Sequence, residues 1–280
     1  MEGHLEHPGL HLDLCVNSHH DKTFIAHQYS RHPFHICKPL YVDTLPAGMA
    51  TVYLQSSAGG IFSGDHLKAR VQANPYSQIH LTSQSSTVVH RMSDSSAEIA
   101  LSVRVGEGAL FEYLPDPLIL FPESNLTSRL KLELDDSSTA ILSDAFLMYD
   151  PYHRGECFTR FTNETTVCNA DGQLLCRDRT SVSGQEFVKR ALGIMGTKAA
   201  AGTFYYLRMS ADSERLCDLL GQAVHSTENL YVGISALPNN AGVWARIIAS
   251  QVSDLRQAIM RLWDAAREDV TGEKPSKRKK

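Results

Sequence analysis

The sequence contains no run approaching the roughly 18–20 consecutive apolar residues that cross a bilayer as a helix, so no membrane partner is expected. Its opening, Met1-Glu2-Gly3-His4, lacks the basic-then-apolar order of a secretory leader. An excess of positive charge is also missing: 27 Lys and Arg face 31 Asp and Glu, for a net charge of −4. That balance excludes a globally basic surface built to neutralise phosphates, and no nucleic-acid partner is expected. The six cysteines, Cys15, Cys37, Cys157, Cys168, Cys176 and Cys217, include no C-x-x-C pair, which removes the usual scaffold of a structural zinc site. Neither a G-x-S-x-G nucleophile elbow nor an H-E-x-x-H zinc helix occurs. What remains, with 42% hydrophobic and 21% charged residues, is the expectation of a cytoplasmic, core-forming chain.

From about residue 49 to 182, short alternating or apolar runs are broken every 8–12 residues by turn residues. Leu67-Lys68-Ala69-Arg70-Val71 alternates and stops at Asn74-Pro75; residues 126–134 alternate over four periods and turn at Asp135-Asp136-Ser137-Ser138. A period of two puts successive side chains on opposite faces, so these runs predict sheets with one face buried. Their regular spacing predicts a mainly β fold of stacked or sandwiched sheets: a sandwich, a barrel or a β-solenoid.

Two later segments have helical spacing. Residues 212–224 place Leu216, Leu219, Leu220 and Val224 on one stripe, with Ser210 or Asp212 as cap. Residues 253–269 do the same with Leu255, Ile259, Leu262, Trp263 and Ala266, with Ser253 as the expected N-cap. With no repeat and no linker, the organisation expected is a variable N-terminal segment (1–30), one β-rich domain (31–269) and a disordered basic tail (270–280). The tail, ending Lys277-Arg278-Lys279-Lys280, repels itself and offers nothing to bury.

Thirteen histidines invite a search for a metal site. In His32-Pro33-Phe34-His35-Ile36-Cys37, an extended chain would put only His35 and Cys37 on one face, a bidentate fragment. Cys168 and Cys176 flank Asn169-Ala170-Asp171-Gly172. With Asp171-Gly172 as a two-residue turn, Cys168 faces Leu175 and the cysteines are out of register for a disulfide. Gly59-Gly60-Ile61-Phe62-Ser63-Gly64-Asp65 lacks the Gly-Lys-Ser/Thr end of a phosphate loop, and the residues after Asp65 alternate like a strand. These glycines are expected to serve a tight turn. Asp65, Glu112, Asp116, Asp144, Glu156 and Asp178 are the carboxylates with local context, and no spacing in the sequence pairs any two of them catalytically.

Taken in order, these segments resemble the urease accessory proteins of the UreD (UreH) family. Gly59-Gly60-Ile61-Phe62-Ser63-Gly64-Asp65 is similar to that family's glycine-glycine…glycine-aspartate signature. Thr82-Ser83-Gln84-Ser85-Ser86, followed by Arg91, resembles its threonine-glutamine-small-small segment. Glu112-Tyr113-Leu114-Pro115, Gly155-Glu156-Cys157-Phe158 and the stretch from Gly172 to Arg177-Asp178 complete the series, and the resemblance covers about residues 31–263. Two departures stand out: Asp150-Pro151-Tyr152-His153-Arg154 replaces a common Gly-Arg, and the basic tail replaces a Pro-Arg-aromatic close.

The resemblance implies a non-enzymatic scaffold that binds urease apoprotein and recruits a helical accessory partner, UreF, and through it the GTPase UreG. It implies no tightly bound cofactor, but transient handling of Ni²⁺ along an internal passage lined by oxygen and nitrogen ligands. Asp65 is the first candidate for that passage, with Glu112, Asp144 and Glu156 behind it. Gly59, Gly60, Gly64, Thr82, Gln84, Arg91, Gly155, Arg177 and Asp178 are motif residues with structural roles. Arg246 and the helix around Leu255, Ile259 and Trp263 are candidate partner contacts, against the alternative that this helix packs on its own sheet. Two competing readings are a β-sandwich hydrolase or isomerase, which needs His35 or His90 beside an acid in a closed pocket, and a plain binding module whose exposed apolar strands form an interface.

Overall fold

A computed structural model describes residues 9–188, 199–209 and 211–278 of the chain. The first strands are β1 (Leu12–His19), β2 (Lys22–Ser30), β3 (Phe34–Ile36), β4 (Ala50–Ser56), β5 (His66–Ala73) and β6 (Gln78–Ser83). Next come β7 (Val88–Val89), β8 (Ala97–Val105), β9 (Leu110–Tyr113), β10 (Leu118–Leu120), β11 (Asn125–Leu134) and β12 (Thr139–Met148). β13 (Arg160–Asn169), β14 (Leu174–Val182), a short helix α1 (Gly184–Val188) and β15 (Ala200–Leu207) follow. The described chain closes with α2 (Ser213–Ala223), β16 (Leu230–Ala236), β17 (Gly242–Ala249) and α3 (Val252–Thr271).

The strands form two sheets, one of seven in the order β14-β13-β11-β8-β5-β1-β2 and one of ten whose main path is β16-β17-β15-β12-β9-β6-β4-β3. From β4 to β13 the chain passes repeatedly from one sheet to the other, and same-sheet neighbours pair in parallel: β4 with β6, β5 with β8, β6 with β9, β8 with β11, β9 with β12, β11 with β13. That is the winding of a β-solenoid. The fold is mainly β, with stacked sheets in a solenoid-like arrangement and two longer helices in the second half, as the strand spacing predicts.

Alternation along each strand assigns its faces. Val52, Val71, Ile79, Val103, Phe111, Leu132, Leu142 and Val167 are all buried in the core between the sheets. The opposite face of the ten-stranded sheet carries Ile141, Phe204, Tyr206, Val243 and Ala245, which pack against α2 and α3. A third cluster, with Phe146, Phe158, Phe161 and Phe187, fills the space beneath α1.

Several local expectations are corrected. The segment 1–30 contributes β1 and β2 to the body: β1 pairs in parallel with β5, and Leu12, Leu14 and Val16 are fully buried. The polar, histidine-rich composition of this stretch concealed a strand whose partner lies more than 50 residues away. At 168–176 the loop has three residues, not two. Asn169 N–H donates to Gln173 O at 2.9 Å, Gly172 adopts a φ of +80°, and Cys168 sits opposite Leu174. The cysteines stay out of register and free. α2 is capped by Asp212, whose carboxylate accepts from Glu214 N–H, while Ser210 lies outside the described residues. α3 begins one residue before the expected Ser253 cap, with Gln251 at the N-cap and no side-chain hydrogen bond there. The basic tail is ordered through Arg278, whose guanidinium is buried against Asp43.

Candidate functional site

A cavity of about 380 Å³ lies between the two sheets. Gly59, Gly60 and the exposed Gln84 and Ser85 border it on one side; Ser143, Asp144, Asn163, Thr165 and Tyr205 line its interior. Gly60 is required there: its φ is +144°, and a Cβ at this position would fall 2.3 Å from Val88 O and 2.9 Å from the His90 ring.

Asp144 reaches the cavity because alternate residues of β12, Leu142, Asp144 and Phe146, face the seven-stranded sheet. Across the gap, Asn163 Nδ2 donates to Asp144 Oδ2 at 2.8 Å. Burial pushes the Asp144 carboxyl up to about 7; the charge of Arg246 opposes that rise and the charge of Asp178 adds to it. Asp178, on β14, accepts from Tyr205 Oη at 2.7 Å and from the Arg246 guanidinium, which also donates to Thr180 and, at 3.3 Å, to Thr203 Oγ1. A polar group drawn from both sheets thus surrounds one carboxyl that titrates near neutrality. Among the described residues no three His, Cys, Asp or Glu side chains gather as a metal-holding group. A lone carboxylate flanked by amide and hydroxyl oxygens can bind a borderline divalent cation weakly and release it.

A second polar constellation lies on the other face of the ten-stranded sheet. Arg267 of α3 donates from Nε and Nη2 to Glu112 at 2.6 and 2.5 Å, and His80 Nδ1 lies 2.8 Å from Glu112 Oε2. Arg267 Nη1 is 3.4 Å from Asp43 Oδ2, which Arg278 contacts at 2.8 Å. All five groups are buried. Burial alone would raise the Glu112 pKa, but the charge of Arg267 and hydrogen bonds from His80 and Arg267 bring it down to about 2. Burial lowers the pKa of His80, with Glu112 offsetting part of the effect, so this imidazole stays neutral near pH 7.

Of the carboxylates read from the sequence as passage candidates, only Asp144 lines the cavity. Glu112 alternates with Phe111 and Tyr113 and therefore faces α3. Asp65 closes its own turn by accepting from Phe62 N–H at 2.8 Å, next to Gly64 at φ +80°. Glu156 lies 3.4 Å from Arg91 on the surface, beside a turn in which Gly155 N–H donates to Asp150 Oδ2. The motif residues have local tasks: Thr82 Oγ1 donates to Leu114 O at 2.6 Å, Arg91 pairs with Glu123 at 2.9 Å and Arg177 pairs with Glu164.

The helix offered as a candidate partner contact packs on the chain's own sheet, as the alternative reading has it. Leu255, Ile259 and Trp263 are buried against the chain's own sheet, and Arg246 is spent on Asp178, Thr180 and Thr203. The hydrolase constellation does not assemble either, since His35 is exposed and His90 Nε2 lies 3.0 Å from the Gly59 carbonyl, stacked on Phe62. Sequence reasoning missed His80, Arg267, Asp43, Arg278 and Asn163. Only His80, set between Ile79 and Leu81, carried a local signal.

A β-solenoid body enclosing a partly polar cavity is the class these observations define. The profile described as UreD urease accessory protein matches residues 7–280, and the chain belongs to that family. It is 32% identical over 258 residues to "Urease accessory protein UreD 1" of Pseudomonas syringae pv. syringae, covering 92% of this chain and 90% of the relative. It is 31% identical over 271 residues to "Urease accessory protein UreD" of Haloarcula marismortui, covering 96% and 89%. A similar protein of Methylorubrum populi is 30% identical, covering 92% and 87%. These relatives are named as accessory proteins, not as enzymes. No helix among the described residues is long and apolar enough to cross a membrane.

Proposed function

We propose that this chain is a cytoplasmic scaffold of urease maturation that binds urease apoprotein, couples it to UreF and through UreF to the GTPase UreG, and passes Ni²⁺ through its inter-sheet cavity. Family membership supports the role in urease assembly. The observation that carries the passage is Asp144 at the cavity wall, a carboxyl that titrates near pH 7. Ionised, it attracts a divalent cation; at slightly lower pH a proton competes for the same oxygens, so binding stays transient. Asn163 orients one carboxylate oxygen, and Thr203 hydrogen-bonds the same carboxyl through its N–H and its hydroxyl, so an arriving cation competes with these donors and is held weakly. Asp178, already tied to Arg246 and Tyr205, supplies negative potential without being a free ligand.

The test is co-expression of the full chain with urease and its other accessory proteins, comparing wild type with Asp144→Ala and Asp65→Ala. Asp144→Ala is expected to lower the nickel content and activity of urease while the amount of complex recovered stays constant. Asp65→Ala should act only through stability. Unchanged nickel content with Asp144→Ala would remove the passage role from this cavity.

A further inference from the structure

We propose that Asp43, Trp263 and Arg267 form a guanidinium-binding site whose ligand is Arg278 of the chain's own basic segment, making residues 272–278 a clasp that fixes the loop between β3 and β4. α3 stops at Gly272, where φ is +84° and the N–H donates to Glu268 O at 2.8 Å, and the chain turns back from there. Ser276 N–H donates to Asp43 Oδ1 at 2.9 Å. Arg278 then meets the same carboxylate with two parallel bonds, Nη1 to Oδ1 at 3.0 Å and Nη2 to Oδ2 at 2.8 Å, and returns a third to Ser276 O at 3.1 Å.

The geometry selects a guanidinium over an ammonium. A fork of two N–H groups matches a carboxylate edge, whereas Lys supplies a point charge that cannot span both oxygens. The planar ion also lies against an aromatic ring, with the Arg278 guanidinium carbon 5.2 Å from the Trp263 centroid and that of Arg267 5.6 Å away. The charges close: Glu112 and Asp43 balance Arg267 and Arg278 in a buried group. Without Arg278, Asp43 and Glu112 would share a single cation, Arg267, in a buried site where an uncompensated charge is costly.

The loop explains what the clasp holds. Within residues 40–45, Asp43 alone is buried, while Leu40, Tyr41, Val42 and Leu45 are exposed. Drawing Asp43 inward onto two arginines sets the outward course of its neighbours.

The test uses the full chain with Arg278→Ala, Arg278→Lys and Asp43→Asn. Arg278→Ala is expected to lower Tm by about 5 °C, from the loss of two charge-assisted hydrogen bonds. It should also accelerate hydrogen exchange of residues 41–45. Arg278→Lys, although it keeps the charge, should lose nearly as much. Millimolar N-ethylguanidinium should restore the Tm of Arg278→Ala saturably, and an alkylammonium ion of the same charge should not; neither should act on wild type. In Arg278→Ala combined with Asp43→Asn the rescue should vanish. An unchanged Tm in Arg278→Ala, or equal rescue by the two cations, would overturn the proposal. Should the double variant fail to fold, the Arg278→Lys comparison and the loop exchange rates still decide it.

Discussion

Arg267 and Glu112, 155 residues apart in sequence, form a bidentate ion pair in which both side chains are fully buried. The pair ties α3 to β9, and therefore to the middle of the ten-stranded sheet.

Breaking that pair from one side leaves a buried charge without its partner, which costs about 3–5 kcal/mol. We expect Arg267→Met to lose a stability of this order in denaturant unfolding, and Arg267→Met with Glu112→Leu to recover much of it. A loss below about 1 kcal/mol for the single variant would show that the site relaxes around Glu112.

The pH dependence contains two opposed contributions. Glu112, at about 2 against an ordinary 4.5, and Asp43, lowered from 3.8, stay ionised in the folded protein at pH values where the unfolded chain takes up protons. Their stabilisation is complete above the ordinary carboxylate range and is lost as pH falls toward 2. Asp144 acts in the other sense. At about 7 against 3.8, it keeps its proton after the unfolded chain has released one, so its contribution declines as pH rises between those values. The stability of Asp144→Asn relative to wild type should therefore climb from about pH 4 to 7 and level off above. A difference independent of pH would mean that Asp144 is solvated like a surface carboxylate.

Two glycines make a matched comparison. Gly60→Ala forces a Cβ onto the Val88 carbonyl at a φ of +144°, and a cost of about 1–3 kcal/mol is expected, together with poorer urease activation as the cavity wall shifts. Gly221 lies inside α2 with nothing within 4 Å of its Cβ position, so Gly221→Ala should stabilise by about 0.5–1 kcal/mol. Thermal melts of the two variants should move in opposite directions; a stabilised Gly60→Ala would refute the close approach.

The sheets are legible in the sequence because each half-buried strand shows its alternation locally, as β11 does over its full length. Faces are legible only relatively. Alternation separates Glu112 from Phe111 but does not say which side meets the other sheet and which meets a helix, so Glu112 looks like a passage residue in the sequence and anchors α3 in the fold. Asp144 obeys the same alternation and does reach the cavity. The clasp leaves no local trace at all, since a buried Asp43 bound to Arg278 is a relation across 235 residues between a loop acid and a tail that looks solvated on its own. In the same way the amphipathic stripe of α3 is visible, whereas its covering by the chain's own sheet depends on the layer order.

The alternating passage of the chain between the sheets gives the interior a modular length. Each turn of the solenoid adds one strand to either wall, a step of about 4.8 Å. Duplicating or deleting one turn would change the length of the interior by that increment while leaving the polar group at Asp144 and the glycine border untouched. Interior length and the polar group at Asp144 are therefore separate variables in this body.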